Sequence, residues 1–135
     1  MMRKRILKVI GSVVVIGVLL GAGALAGIMW HIRQCVRLNC QSAQNAHPHP
    51  GDDVAAVIEF MNSESHSLWD RTHRGVWTLG QLRDPKALPA LEALYTGELC
   101  DHDKDLCQYE LEKAIKLCGG TPNPPRKTGH GIVEQ

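Results

Sequence analysis

Cysteine is the residue type in this 135-residue chain that offers the most chemistry, and three of the five cysteines lie in its second half. Cys100 is predicted in a loop and Cys107 in the first turn of the next helix, so a disulfide between them can form. Closing this short loop would stabilise the fold by about 2–3 kcal/mol. Cys118 follows Cys107 by eleven residues on the same predicted helix, about 16 Å along its axis, which is too far for a bridge. We expect Cys118 to be a small buried hydrophobe.

The other two cysteines, Cys35 and Cys40, follow an apolar segment. Two pairings are open for them, with each other or with a second copy of the chain. Because the total is odd, at least one thiol stays unpaired or forms an intermolecular bridge.

Metal binding or thiol redox chemistry is the alternative to a disulfide. Cys100, His102 and Cys107 offer thiolate and imidazole ligands that suit tetrahedral Zn²⁺, and Cys118 or His66 would supply the fourth. No Cys-x-x-Cys pair sharpens the spacing, and a disulfide would consume the same sulfurs.

Two further patterns resemble metal sites less closely. Asp101, Asp103 and Asp105, followed by Glu112, match positions 1, 3, 5 and 12 of a calcium loop, but Leu106 stands where that loop needs glycine. We therefore expect an acidic loop before a helix N-terminus. A histidine pair in a predicted linker, His47-Pro48-His49, is expected to be solvated. Since motifs of hydrolases, metalloproteases and nucleotide-binding loops are absent, the sequence predicts neither an enzyme nor a cofactor.

The element that positions this domain is an apolar N-terminal segment. Residues 9–30 contain no charge, and Ser12 is the one polar side chain. At 1.5 Å per residue these 22 residues extend about 33 Å, enough to cross a hydrocarbon core. The small residues Gly17, Gly21 and Ala24 share one helix face that can pack against another transmembrane helix.

Charge predicts the orientation of this segment. Four Lys/Arg precede it, in a basic end formed by residues 1–8, and two follow within twenty residues. This asymmetry predicts a single-pass signal-anchor in the cytoplasmic (inner) membrane, with the N-terminus inside and the C-terminal domain on the periplasmic or extracellular side. A signal peptide cleaved after Ala24-Leu25-Ala26 is the alternative, but its apolar core would be unusually long.

Beyond the segment, residues 31–53 read as a juxtamembrane stretch and polar linker, residues 54–118 as a helical domain and residues 119–135 as a disordered tail. Within the domain, a first helix is predicted from about 54 to 64, and a second apolar series runs from Leu68 and stops at Asp84. Further helices are predicted from Pro85 to Gly97 and from Asp105 to Gly119. Trp69 and Trp77 fall in apolar runs and are expected in the core, or at a partner interface if exposed. Residues 41–135 carry a net charge of −5, so no nucleic-acid partner is expected.

One stretch resembles a known family. Residues 74–91 contain Leu79-Gly80-Gln81-Leu82, then Asp84-Pro85, then Ala87-Leu88-Pro89-Ala90-Leu91. This order resembles the helix-turn-helix unit of HEAT-like repeats of the phycobilin-lyase type. The resemblance implies an antiparallel helical hairpin and a binding surface, and it does not extend to lyase activity.

The sequence thus predicts an all-α protein in which a single transmembrane helix precedes a small HEAT-like domain. The function it favours is protein–protein interaction or scaffolding at the outer membrane face, with a zinc-binding or thiol-redox module as the alternative. The predicted partners are the lipid bilayer and an unidentified protein, with a homodimer as one form of that partnership.

Overall fold

A computed structural model describes residues 2–125 of the chain, and every regular element in that range is helical, as the sequence predicts. A long apolar helix comes first and a small helical domain follows. The six α-helices are α1 (Met2–Ala46), α2 (Asp53–Asn62), α3 (Leu68–Asp70), α4 (Trp77–Leu82), α5 (Leu88–Leu94) and α6 (Gln108–Leu117). A π-helical segment, Arg71–Val76, joins α3 to α4, and a 3₁₀ turn, Pro85–Ala87, precedes α5.

The contacts divide the chain into two compact units, Met1–Cys35 and Val36–Gln135. In the first unit, α1 is long and apolar enough to span a membrane. The span found within the described residues starts at Val13, has a mean hydropathy of 2.3 and is not buried in the protein. A side chain added at Gly17 or Gly21 would meet no neighbour, so the predicted small-residue face is open along this part of α1.

The second unit begins earlier than the sequence predicts. Residues 41–46, interpreted as the start of a polar linker, continue α1 as helix, and the connection to α2 contains only residues 47–52. Cys40 and Ala43 are buried in the domain core, and Val36 packs against it. These three positions recur at helical spacing, and that short apolar stripe keeps the chain helical despite its polar neighbours.

The core of the second unit is formed by side chains from α1, α2, α4, α5 and α6, with additions from the π segment, the 3₁₀ turn and the α5–α6 loop. Its largest fully buried members are Met61 and Val57 of α2, Val76 and Leu79 on either side of the π–α4 junction, Leu91 of α5, and Leu111 and Ile115 of α6. α6 lies against both α4 and α5, and α2 packs on the π segment. α6 is therefore the central packing element of the domain.

Two glycines allow the helices to approach closely. A Cβ on Gly75 would lie 3.0 Å from Met61 Cβ of α2, and one on Gly80 would lie 3.1 Å from Ala114 Cα of α6. Both glycines lie on the run of helix from Leu68 to Leu82, so this run contacts α2 at one point and α6 at the other.

The helix ends follow part of the predicted chemistry, and α5 ends at Leu94, three residues before the predicted Gly97. Asp84 accepts a hydrogen bond from the Lys86 amide, and Pro85 opens the 3₁₀ turn. The last helix starts at Gln108 with Cys107 at the N-cap, two residues after the predicted cap Asp105. The carbonyl oxygen and carboxylate of Asp101 instead organise the preceding loop, which removes Asp105 from the helix.

α6 ends as predicted at the glycine pair. Gly119 has a φ of +89°, and the amides of Gly119 and Gly120 donate to the carbonyl oxygens of Lys116 and Ile115. This arrangement is a Schellman motif. Of the predicted disordered tail, residues 119–125 are non-helical, and a Cβ on Gly97 would lie 3.0 Å from Pro124. Residues 126–135 lie outside the described residues.

Candidate functional site

The loop between α5 and α6 brings Cys100, His102 and Cys107 together. Its turn is built on Asp101, whose carbonyl oxygen accepts hydrogen bonds from the amides of Lys104 and Asp105 at 3.2 and 2.9 Å. The Asp101 carboxylate also accepts one from the Asp103 amide at 3.2 Å. These bonds reverse the direction of the chain, so that the start of α6 lies next to Cys100.

The three side chains place one ligand atom each within 4.8 Å of the other two. The Cys100 and Cys107 sulfur atoms are 3.2 Å apart. Cys107 is buried, Cys100 is half-buried and His102 is exposed. Both cysteines are free thiols in this structure. The structure therefore assembles the residues of both sequence hypotheses, the disulfide and the metal site, at one place.

Backbone amides in the first turn of α6 face the two sulfurs. The Tyr109 amide donates to Cys100 Sγ at 3.4 Å. Burial raises the pKa of the Cys107 thiol, and the Cys100 sulfur beside it acts in the same direction, whereas the amides of Glu110 and Tyr109 act against the shift. Cys107 is thus a protonated thiol unless a cation or an oxidant takes its sulfur.

A buried glutamine that no sequence motif marks holds this loop. Gln108 accepts a hydrogen bond from the Thr96 amide at 2.8 Å and donates to the carbonyl oxygens of Leu94 and Leu106. The neighbouring Cys107 amide donates to Thr72 Oγ1 at 3.4 Å. In the sequence, Gln108 is one polar residue at the start of α6. A solvent-exposed glutamine at that position would give the same pattern.

The residues predicted as a fourth zinc ligand lie elsewhere. Cys118 is buried in the core and its thiol donates to the Leu79 carbonyl oxygen at 3.4 Å. Burial raises its pKa, and Asp84 adds to the effect. His66 stacks on Phe60 with ring centroids 3.9 Å apart. Neither belongs to the Cys100 group.

Two carboxylates of the calcium-like pattern have basic neighbours. Lys104 pairs with the Asp101 carboxylate at 3.1 Å, and Glu112 pairs with Lys116 one turn along α6 at 2.6 Å. Each of these carboxylates already has a cationic neighbour from its own segment.

The two cysteines of α1 have different environments. Cys35 lies in the first unit with its sulfur 3.7 Å from His31 Nε2, whereas Cys40 is buried in the core of the second. Burial, followed by the charge of Asp53, raises the pKa of Cys40 to about 11. Residues five apart on a helix point about 140° away from each other, so an intact α1 disfavours a bridge between the two.

The predicted linker histidines have partners instead of being solvated. His47 lies 3.2 Å from Glu59 Oε1 through Nδ1 and 3.3 Å from His66 Nε2 through its own Nε2. His49 approaches the other oxygen of the same carboxylate. Glu59 therefore clamps the connection between α1 and α2.

One predicted core residue is exposed. Trp69 has 63% of its surface accessible and stacks on His73 at 4.7 Å, so its prediction as a core residue is wrong. Trp77 is half-buried. Near Trp69, the adjacent Leu68 and Arg71 line an open cleft of about 340 Å³, whose other side is formed by the α5–α6 loop, including Leu99 and Lys104.

Comparisons with protein families, curated proteins and solved structures returned no match to this chain. Fold and site together define an all-helical domain behind one apolar helix, with a cysteine–histidine cluster at the start of its last helix.

Proposed function

We propose that this protein is a single-pass membrane-anchored helical module that binds a protein partner at the outer face of the cytoplasmic membrane. The observation that carries this proposal is the exposed Trp69 beside the cleft. Tryptophan is enriched among residues that dominate binding energy, and a ring already stacked on His73 loses little conformational entropy on binding.

The cleft supports a partner segment that inserts an apolar side chain. Leu68, Leu94 and Leu99 supply apolar lining, and Leu99 is itself exposed. Arg71 and Lys104 on one hand, and Glu98 and Asp105 on the other, place both charge signs around the same opening. An apolar centre with a polar rim is the usual anatomy of a protein interface. The resemblance of residues 74–91 to HEAT-like repeats supports the same role, because such repeats present binding surfaces.

The anchor supports a partner that is also in or near the membrane. The apolar part of α1 is long enough to cross a bilayer, and the excess of Lys/Arg before it favours a cytoplasmic N-terminus. α1 ends at Ala46, and residues 47–52 connect it to α2. A tethered domain meets membrane partners at a raised effective concentration, so a modest intrinsic affinity suffices.

Photo-crosslinking in intact membranes tests the binding surface. A photoreactive amino acid is placed at Trp69 or at Leu99 in the full chain, with Lys116 on α6 as the control position. We expect one defined adduct with another protein from the first two positions and not from Lys116. Adducts of twice the chain mass identify a second copy as the partner, and the absence of any position-specific adduct contradicts the proposal.

Orientation is tested separately with an exposed cysteine. Ser65→Cys adds a thiol on the turn between α2 and α3, and a membrane-impermeant maleimide is applied to intact cells. We expect Ser65→Cys to add label over the unmodified chain without cell lysis. Added label that depends on lysis would place the domain in the cytoplasm and refute the outer location.

A further inference from the structure

We propose that Cys100, His102 and Cys107 form a binding site for one zinc-class divalent cation, with a fourth position open to a donor from outside the chain. This inference is independent of the partner surface. The three ligand atoms already lie within 4.8 Å of one another. Two thiolates balance the charge of a divalent cation, and one imidazole completes a ligand set common to zinc sites.

The distances require little rearrangement. At a zinc–sulfur distance of about 2.3 Å, two sulfurs on a tetrahedral ion are about 3.8 Å apart. The Cys100 and Cys107 sulfurs are 3.2 Å apart, so they need to separate by about half an ångström. His102 is exposed on the turn, so its side chain is free to adjust. Metal binding uses all three residues, whereas a disulfide leaves His102 without a role.

Hydrogen bonds around the two cysteines would support a bound metal ion. The Tyr109 amide donates to Cys100 Sγ, which is the kind of outer contact that stabilises a bound thiolate. Cys107 occupies the N-cap position of α6, and the positive end of the helix favours a negative sulfur there. Gln108 and Thr72 fix the backbone on both sides of Cys107. Ligand placement therefore does not depend on a mobile loop alone.

The fourth position is open because both internal candidates are engaged elsewhere. Cys118 donates to Leu79 in the core, and His66 stacks on Phe60. The neighbouring cleft is lined by Leu99, Lys104 and Asp105 of the same loop. Three protein ligands with an open position distinguish a site that takes a water or a partner's donor from a closed structural site.

Metal content of the full chain in detergent is the direct test. The chain is purified under reducing conditions, stripped with a chelator, reloaded with Zn²⁺ and dialysed. We expect about one zinc per chain, and at least a tenfold loss of affinity in Cys100→Ser and in His102→Gln. Cys35→Ser is the matched control, since it removes a half-buried cysteine outside the group, and it should keep the metal.

Cobalt gives a second readout that reports the ligands. Co²⁺ bound to the chain should show thiolate charge-transfer absorption and the visible bands of tetrahedral coordination, and His102→Gln should change both. Because Cys107 is buried and its replacement can impair folding, Cys100→Ser and His102→Gln decide the outcome, with circular dichroism confirming the fold of each. Zinc content equal in the chain and the Cys100→Ser variant would overturn the proposal. A metal-free chain from native membranes with a mass lower by two hydrogens would also overturn it in favour of a Cys100–Cys107 disulfide.

Discussion

At the scale of single residues, the five cysteines differ in burial and in the groups around them. Cys100 and Cys107 face each other, Cys35 is half-buried in the first unit, and Cys40 and Cys118 are in the core. Thiol chemistry needs the thiolate and access to it, and burial removes both. Burial therefore separates Cys40 and Cys118 from the two half-buried thiols, Cys35 and Cys100.

Cys118 should react more slowly than Cys100 in the folded chain. It is 2% exposed, and burial followed by the charge of Asp84 raises its pKa. At the same pH, we expect maleimide to label Cys118 at least about tenfold more slowly than Cys100. Labelling followed by peptide mass analysis measures both sites, and urea should abolish the difference. Equal rates in the folded chain would mean that α6 opens readily.

Glu59 makes the connection between α1 and α2 sensitive to acid. The hydrogen bond from His49 lowers its pKa below the ordinary value of 4.5, with the His47 ring adding to the effect. A carboxyl group whose pKa is lower in the folded state stabilises the fold above its unfolded value. That contribution is lost as the pH falls from about 4.5 through the folded-state value.

Urea unfolding of the full chain across this acidic range measures the effect. We expect Glu59→Gln to be less stable than the unmodified chain at neutral pH and to lose less stability on acidification. Glu64→Gln, on the exposed turn after α2, should follow the unmodified chain. Parallel acid profiles for Glu59→Gln and the unmodified chain would show that the histidine pair does not act through Glu59.

The proximity of Cys100 and Cys107 is the part of the site that spacing predicts best. Because only six residues separate Cys100 from Cys107, the loop keeps the two side chains close, and their sulfurs are 3.2 Å apart. Gln108 could not be predicted as the clamp of that loop, because a glutamine at a helix start gives the same pattern whether it is buried or solvated. The pairing of Glu59 with two histidines depends on α1 ending next to α2, which no local pattern indicates.

At the scale of elements, two helix ends predicted from capping chemistry are found, whereas those predicted at Gly97 and Asp105 are not, and the boundaries that packing fixes were not predicted. Asp84-Pro85 and Gly119-Gly120 mark helix ends by capping and by a positive φ, and both ends are found there. The extension of α1 to Ala46 depends on burying Cys40 and Ala43, which only the folded domain provides. The exposure of Trp69 likewise follows from the π segment after it, where the wider turn changes which side chains face the core.

The contact between α4 and α6 should be the least tolerant of added volume. Gly80→Val would put its Cβ 3.1 Å from Ala114 Cα and 3.2 Å from Ala114 Cβ, a backbone neighbour that cannot rotate away. We expect a loss of about 1–3 kcal/mol in the free energy of unfolding. Gln81→Val, at the next and half-exposed position of the same helix, controls for the β-branched side chain. Equal losses in the two variants would assign the effect to helix propensity instead of close packing.

At the scale of the whole molecule, the end of the long helix belongs to the folded domain. Cys40 and Ala43 are in its core, Asn39 donates to Thr78 Oγ1 at 2.9 Å, and Arg74 donates to Ser42 Oγ at 3.0 Å. The domain that the sequence predicts, residues 54–118, lacks all of these contacts. A single core this small has little stability to spare, so the missing turns of helix should matter.

Two truncated chains test whether the folded domain begins at residue 36 or at residue 54. One begins at residue 36 and the other at residue 54, and both end at residue 125. We expect the longer chain to unfold cooperatively in urea and the shorter chain to be less stable by at least about 2 kcal/mol, because it leaves the core surface under Cys40 and Ala43 open to water. In the chain that begins at 36, Ala43→Asp should reproduce much of this loss, whereas Gln41→Asp, on the exposed side of the same turn, should not. Equal stability of the two truncated chains would support the predicted linker before residue 54. The observed packing instead places Cys40 and Ala43 of α1 in the core of the second unit.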